Sequence, residues 1–132
     1  MDQKKFKKKM NNEEILPITN DELQATINES FSTFGKQEMP KGAYNVVIAM
    51  EECAECIQQS SKFVRGQMDR DHLLEEVADV FIAMEYVKKA ANFTEDEIKK
   101  AMRIKLNEIN KKMKGMDTKK KSKKKKKKKD KK

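Results

Sequence analysis

The sequence predicts an all-α protein that consists of a single four-helix bundle-like domain. Apolar residues recur at helical spacing in four segments, and no segment alternates polar and apolar residues as a half-buried strand would. The four glycines and two prolines lie only between these segments or at their ends, where they interrupt no helix. A chain of 132 residues is long enough for one such domain.

The first two helices are predicted from their start signals, their stops and their apolar stripes. Thr19 and Glu22 form a capping box, and the helix that follows ends near Gly35. Its stripe consists of Leu23, Ile27, Phe31 and Phe34. The second helix opens at Pro40 and runs to about Val64. Its stripe consists of Ala43, Val46, Val47, Met50, Cys53, Ala54 and Ile57.

The last two helices follow the same logic. Asp69 or Asp71 caps the third helix. Its stripe consists of Leu73, Leu74, Val77, Val80, Phe81, Met84 and Val87. A second capping box, Thr94 with Glu97, opens the fourth helix, which ends near Gly115. Its stripe consists of Ile98, Ala101, Met102, Leu106, Ile109 and Met113.

Charge divides the chain into three parts. Residues 119–132 hold 12 Lys and one Asp, a net +11, so subtraction from the formal +9 of the whole chain leaves −2 for residues 1–118. Lysines also crowd residues 4–9. Because runs of like charge repel each other and bury no apolar surface, we expect both ends to be disordered. This predicts a basic and polar N-terminal arm over 1–17, a folded domain over 18–114 and a disordered poly-Lys tail over 115–132.

The sequence also bounds the cellular setting. The basic start is followed by polar residues, and no run approaches the roughly 20 apolar residues of a membrane span, so we expect a cytoplasmic protein with no membrane segment. The two cysteines, Cys53 and Cys56, lie in mid-helix. A redox motif usually opens a helix and a structural zinc site needs two more ligands, so free thiols are the favoured interpretation.

Two acidic pairs are the most informative feature. Glu52 and Glu55 on the second helix, and Glu76 and Asp79 on the third, are each spaced i, i+3, which places both members on one helical face. Packing the two helices together would gather four carboxylates, which repel each other by roughly 3 kcal/mol per pair at about 5.5 Å and an effective dielectric near 20. A cation between them is therefore expected.

The ligand set indicates which cation. An all-oxygen site suits Mg²⁺, with Mn²⁺ as the alternative, rather than zinc. A di-iron helical protein would need Glu-x-x-His motifs on two helices, and His72 is the only histidine. His72 lies one turn before Glu76, where it either contacts substrate or has a capping or surface role. On a helical wheel Glu52 and Glu55 fall opposite the stripe of their helix, so we expect them to face away from the main core contact.

The two motifs together resemble a known family. EECAE at residues 51–55, followed after 20 residues by EVAD at 76–79, is similar to the EExxE…ExxD signature of MazG-like nucleoside triphosphate pyrophosphohydrolases, in the all-α NTP pyrophosphatase superfamily. The resemblance covers residues 20–113. It implies hydrolysis of a nucleoside triphosphate between the α- and β-phosphates, giving a monophosphate and pyrophosphate, in the service of nucleotide pool sanitation or control.

The same resemblance implies roles for individual residues. The metal would be held by Glu52, Glu55, Glu76 and Asp79. Glu51 and Glu55 would be the catalytic carboxylates, with Glu51 acting on the attacking water or in a second metal site. Lys105 and Lys112 on the last helix would bind the triphosphate.

Partners follow from the small core and from the tail. With 6% aromatic residues the domain buries little surface alone, and Ile48 and Ala49 lie outside the main stripe, so we expect a homo-oligomer, a dimer or a tetramer. The poly-Lys tail is either a solvated extension or a non-specific contact to nucleic acid. The alternative function is therefore a non-catalytic helical interaction module that binds nucleic acid through this tail. The intact acidic pairs favour the enzyme.

Overall fold

The computed structural model of the chain describes residues 2–34 and 42–130, with residues 118–130 as backbone only. These residues form five helices and no strand, which confirms the all-α prediction. The helices are α1 (Gln3–Met10), α2 (Asn20–Phe34), α3 (Ala43–Val64), α4 (Arg70–Ala90) and α5 (Glu95–Asp130). The chain divides into two compact units, residues 1–92 with α1–α4 and residues 93–132 with α5.

The start signals predicted from the sequence are found as caps at the beginnings of α4 and α5. Asp69, rather than Asp71, caps α4, because its Oδ1 accepts a hydrogen bond from the backbone N–H of His72 at 3.1 Å. The capping box before α5 is complete: Thr94 Oγ1 accepts from the N–H of Glu97, and Glu97 Oε2 accepts from the N–H of Thr94. The predicted helix end near Gly35 and helix start at Pro40 lie outside the described residues.

Helix α1 occupies part of the arm that we expected to be disordered. Gln3 Nε2 donates a hydrogen bond to Glu75 Oε2, and Lys7 Nζ lies 3.7 Å from Asp71 Oδ2. Both acceptors are on α4. The structure thus describes a helix where the sequence predicts a disordered arm, and its two contacts with α4 pair an amide and a lysine with acidic side chains.

Helix α5 continues to Asp130, beyond the predicted end near Gly115 and through most of the tail that we expected to be disordered. A single glycine inside a helix costs about 1 kcal/mol relative to alanine, while lysine is a good helix former. A Cβ atom placed on Gly115 would meet nothing within 4 Å, so no packing requires a helix end there.

The core of the first unit is the contact between α3 and α4, with α2 packed on both. Ile27 and Phe31 of α2 are buried, as are Ala49 of α3 and Ala83 of α4. The α3 face that meets α4 differs from the one predicted, because Met50 and Ile57 of the predicted stripe are 66% and 70% exposed. The small side chains of Ala49 and Ala83 allow the helices to approach closely along this face.

The prediction that Glu52 and Glu55 face away from the main core contact is therefore wrong. Their face of α3 carries the buried residues Asn45, Ala49 and Gln59, and it lies against the α4 face that carries the buried Glu76 and Ala83. No helix in residues 2–34 and 42–130 has the length and hydropathy needed to cross a membrane.

Candidate metal centre

The packing of α3 on α4 brings four carboxylates together. Each contributes one oxygen to a cluster in which these atoms all lie within 4.8 Å of one another. We call the four residues the acidic quartet: Glu52, Glu55, Glu76 and Asp79. Each helix supplies an i, i+3 pair, so helical geometry places two carboxylates side by side and the helix contact closes the set.

The two helices run antiparallel at the quartet. Glu52 lies beside Asp79 and Glu76 beside Glu55, and within each of these two pairs the carboxyl groups interact across the helix contact. The earlier member of the α3 pair thus meets the later member of the α4 pair. The antiparallel register also determines which residues of α3 and α4 lie opposite each other in the helical turns next to the quartet.

Burial differs among the four members and gives the centre a closed side and an open side. Glu76 is only 7% exposed, Glu52 and Asp79 are half-buried, and Glu55 is exposed. A ligand can therefore reach the quartet from solvent on the side of Glu55, while its deepest contact would be made at Glu76.

Two oxygens of the quartet are buried without a hydrogen-bond partner, Glu52 Oε2 and Glu76 Oε2. The other oxygen of Glu76, Oε1, lies 3.4 Å from His72 Nε2. Leaving a buried acceptor unpaired costs about 1–3 kcal/mol, and more when it is charged. These atoms would be satisfied by a cation or by a donor that arrives with one.

The electrostatics of the quartet point in the same direction. Desolvation, reinforced by the charges of Asp79 and Glu55, raises the pKa of Glu52 to about 7. Desolvation and the neighbouring Glu55 also raise the pKa of Glu76, against a smaller opposing effect of His72. Burial raises the pKa of Asp79 as well. In the absence of a cation the quartet therefore retains protons at a pH where isolated carboxyl groups have lost them.

The donor set fits a hard divalent cation. All four groups are carboxylates, which are ligands that Mg²⁺ and Mn²⁺ prefer. Neither thiol is part of the cluster; Cys53 and Cys56, which directly follow Glu52 and Glu55 in the sequence, are free and half-buried. Acidic residues often cluster without binding a metal. The unpaired buried oxygens of Glu52 and Glu76 are the separate observation that favours a bound cation here.

The remaining predicted site residues lie outside the quartet. Glu51 is an exposed neighbour of Glu52 on α3. Lys105 and Lys112 are on α5, in the second compact unit, and Lys105 Nζ lies 3.5 Å from Glu108 Oε2. The structure thus brings together the four predicted metal ligands, while it places Glu51 beside them in sequence and the two lysines in the other unit.

Two buried polar residues on the quartet's face of α3, Asn45 and Gln59, were not predicted from the sequence, and Gln59 lies nearer to the quartet on the side of Glu55. Gln59 is 7% exposed, and its Oε1 is buried without a hydrogen-bond partner. The signal available in the sequence was its spacing, because Gln59 follows Glu55 by one helical turn.

Comparisons with known proteins add no relative to this picture. No family model, no curated protein and no solved structure matches the chain.

Proposed function

We propose that the protein is a Mg²⁺-dependent nucleoside triphosphate pyrophosphohydrolase, as the resemblance of its EECAE and EVAD motifs to MazG-like enzymes implies. The observation that carries the proposal is the acidic quartet, four carboxylates within 4.8 Å with an orphaned oxygen on the buried Glu76. A triphosphate is the natural counterpart of such a site, because its negative charge cannot approach four carboxylates unless a cation lies between them.

Each residue of the centre has a defined part in this proposal. Glu52, Glu76 and Asp79 would hold the ion on the buried side, and Glu55 would complete the set at the exposed side. Bound there, Mg²⁺ would neutralise phosphate charge and favour displacement at the α-phosphorus.

Two further groups outside the quartet belong to the proposal through the family resemblance. The exposed Glu51 carboxylate would accept the proton of the attacking water. Lys105 and Lys112 would bind the phosphates through their ammonium groups, which act as point charges.

The decisive experiment identifies the products. Incubation with a panel of canonical and modified nucleoside triphosphates and Mg²⁺ or Mn²⁺ should give a nucleoside monophosphate and pyrophosphate. Glu55→Gln keeps the side-chain shape and removes the charge, so kcat should fall by about 10²-fold or more while the helix content is unchanged. Glu29→Gln makes the same chemical change at an exposed position on α2 and should leave kcat unaltered.

Three outcomes would contradict the proposal. Inorganic phosphate as the only product would place the cleavage at another bond. Full activity in Glu55→Gln would remove the quartet from the chemistry. Silence across the whole panel would favour the alternative, a helical module that binds nucleic acid through its basic tail.

We also propose that the protein is a homo-oligomer, with a dimer as its smallest form. An open groove between α3 and α4 has an apolar lining. The lining residues are Val46, Ala49, Met50, Cys53, Ala54, Ile57, Met84 and Val87. None of the described residues that line the groove is charged, so a second copy of the same surface is a self-complementary partner for it. Sedimentation analysis should show a dimer or tetramer that Met50→Glu shifts toward monomer; a monomeric wild type would contradict this.

A further inference from the structure

Gln59 presents a buried acceptor that no group among the described residues satisfies. Its side chain is 7% exposed and its Oε1 has no hydrogen-bond partner. Long polar side chains are seldom buried unless they are paired, because desolvation of the amide costs free energy and fixing the side chain costs entropy. Burial of Gln59 at this position therefore calls for a specific partner.

The helix register places Gln59 next to the acidic quartet. On α3 it follows Glu55 by four residues, so both side chains lie on the face that meets α4. Because α3 and α4 run antiparallel with Glu55 beside Glu76, the next turn of α3 is level with the preceding turn of α4, which carries His72. Gln59 thus extends the line of acceptors at the Glu55 and Glu76 end of the centre.

The unpaired atoms along this face of the helix contact share one property. Glu52 Oε2, Glu76 Oε2 and Gln59 Oε1 are all acceptors. His72 Nε2, a ring nitrogen on α4, already lies 3.4 Å from the other oxygen of Glu76, Oε1. Since no group among the described residues pairs with these three atoms, a cation that brings its hydration water is a partner that suits all of them.

We propose that Gln59 is a positioning residue of the metal centre, whose carboxamide oxygen accepts a hydrogen bond from the hydration water of the bound cation. This inference rests on the metal site of the proposed function. Mg²⁺ gives up its waters reluctantly and usually keeps several of them when it binds to protein, so a site for it needs acceptors around the ion as well as ligands on it. A neutral carboxamide supplies such an acceptor without adding a fifth negative charge to the quartet.

The test measures metal binding and metal-free stability in the full-length protein. Mn²⁺ alone is titrated by calorimetry into the wild type, Gln59→Met and the control Gln58→Met, whose position is the exposed neighbour on α3. Gln59→Met should weaken Mn²⁺ binding by about 10–100-fold, the usual effect of removing an outer-shell partner. It should leave the metal-free melting temperature unchanged or higher, since an orphaned buried acceptor has been removed. Gln58→Met should change neither quantity.

A structural role for Gln59 would give the opposite pattern, a lower melting temperature with an unchanged Mn²⁺ affinity, and this result would overturn the inference. Gln59→Glu provides the second variant, because it keeps an acceptor oxygen and adds charge. It should lower the metal-free melting temperature and keep the Mn²⁺ affinity at or above that of the wild type, and a 10-fold loss of affinity would also count against the inference.

The failure of this inference can be distinguished from the failure of the proposed function. A wild-type protein that binds no Mn²⁺ at millimolar concentration overturns both. Binding of Mn²⁺ that depends on Gln59, without cleavage of any triphosphate, overturns the proposed reaction and leaves the role of Gln59 standing.

Discussion

The contact between α3 and α4 buries polar residues at both of its ends, and the two ends differ in whether those residues are hydrogen-bonded. At one end Asn45, 1% exposed, donates from Nδ2 to Ser30 Oγ at 2.9 Å, and that hydroxyl donates to the Tyr86 hydroxyl at 3.3 Å. At the other end Glu52 and Glu76 each keep a buried oxygen without a partner. Between the two ends lies the close-packed part of the contact, with small buried side chains.

The difference teaches how to separate structural polar residues from functional ones within a single interface. A satisfied buried hydrogen bond contributes about 0.5–1.5 kcal/mol to stability, whereas an unsatisfied buried group costs about 1–3 kcal/mol. The end with Asn45 is complete within the protein. At the end with the acidic quartet, hydrogen-bond donors or positive charge are missing, because both unpaired atoms are carboxylate oxygens.

The largest effect expected from this difference is stabilisation by metal. An ion that binds only the native state adds about 2.7 kcal/mol when its concentration is 100 times Kd, so millimolar Mg²⁺ should raise the melting temperature relative to chelator. Asp79→Asn should lose most of that increase, because it removes a ligand from the quartet. Identical melts of the wild type with and without Mg²⁺ would count heavily against the metal site.

A smaller effect, one that does not depend on metal, is expected at the satisfied end. Asn45→Ala leaves Ser30 without its donor and opens a small cavity, so the protein should lose about 1–3 kcal/mol of stability. The loss should be the same in Mg²⁺ and in chelator, as thermal melts of both forms would show. A metal response reduced in Asn45→Ala as strongly as in Asp79→Asn would mean that the two ends are not independent.

The two ends also differ in how much of them the sequence predicts. The i, i+3 pairing of Glu52 with Glu55 is local, so helical spacing alone predicts it, and the prediction that the two helices gather four carboxylates agrees with the structure. Which face of α3 meets α4 is not a local property. The apolar stripe with Met50 and Ile57 looks like the core face, yet the face with the small Ala49 is the one that packs on α4.

Contacts between distant parts of the chain account for the other differences. The pair Lys7 with Asp71 joins residues 64 positions apart, and nothing in a lysine-rich segment read alone predicts that it finds an acidic partner on α4. Gln59 is not predicted for a related reason, since a single glutamine on a helix is ordinarily a surface residue and only its burial in the fold distinguishes it.

The smallest effect is the pH dependence of the metal-free protein. The pKa of Glu52 is raised from its usual value of 4.5 to about 7, so between these values the folded state binds more protons at this group than the unfolded state does. Stability therefore falls as pH rises through this window, and it is greatest at this group below pH 4.5. Glu76 and Asp79, whose pKa values are also raised, act in the same direction.

Melts in chelator across this pH range should thus show a melting temperature that declines toward neutral pH, and Glu52→Gln should flatten the decline because a carboxamide does not titrate. Saturating Mg²⁺ should flatten it as well, since the ion replaces the protons that the quartet otherwise retains. Calorimetric titration at pH 7 in two buffers of different ionisation enthalpy should then detect proton release on metal binding. A melting temperature that rises with pH in chelator would show that the carboxylates are ionised without a cation, and the distinction between the two ends of the α3–α4 contact would lose its electrostatic basis.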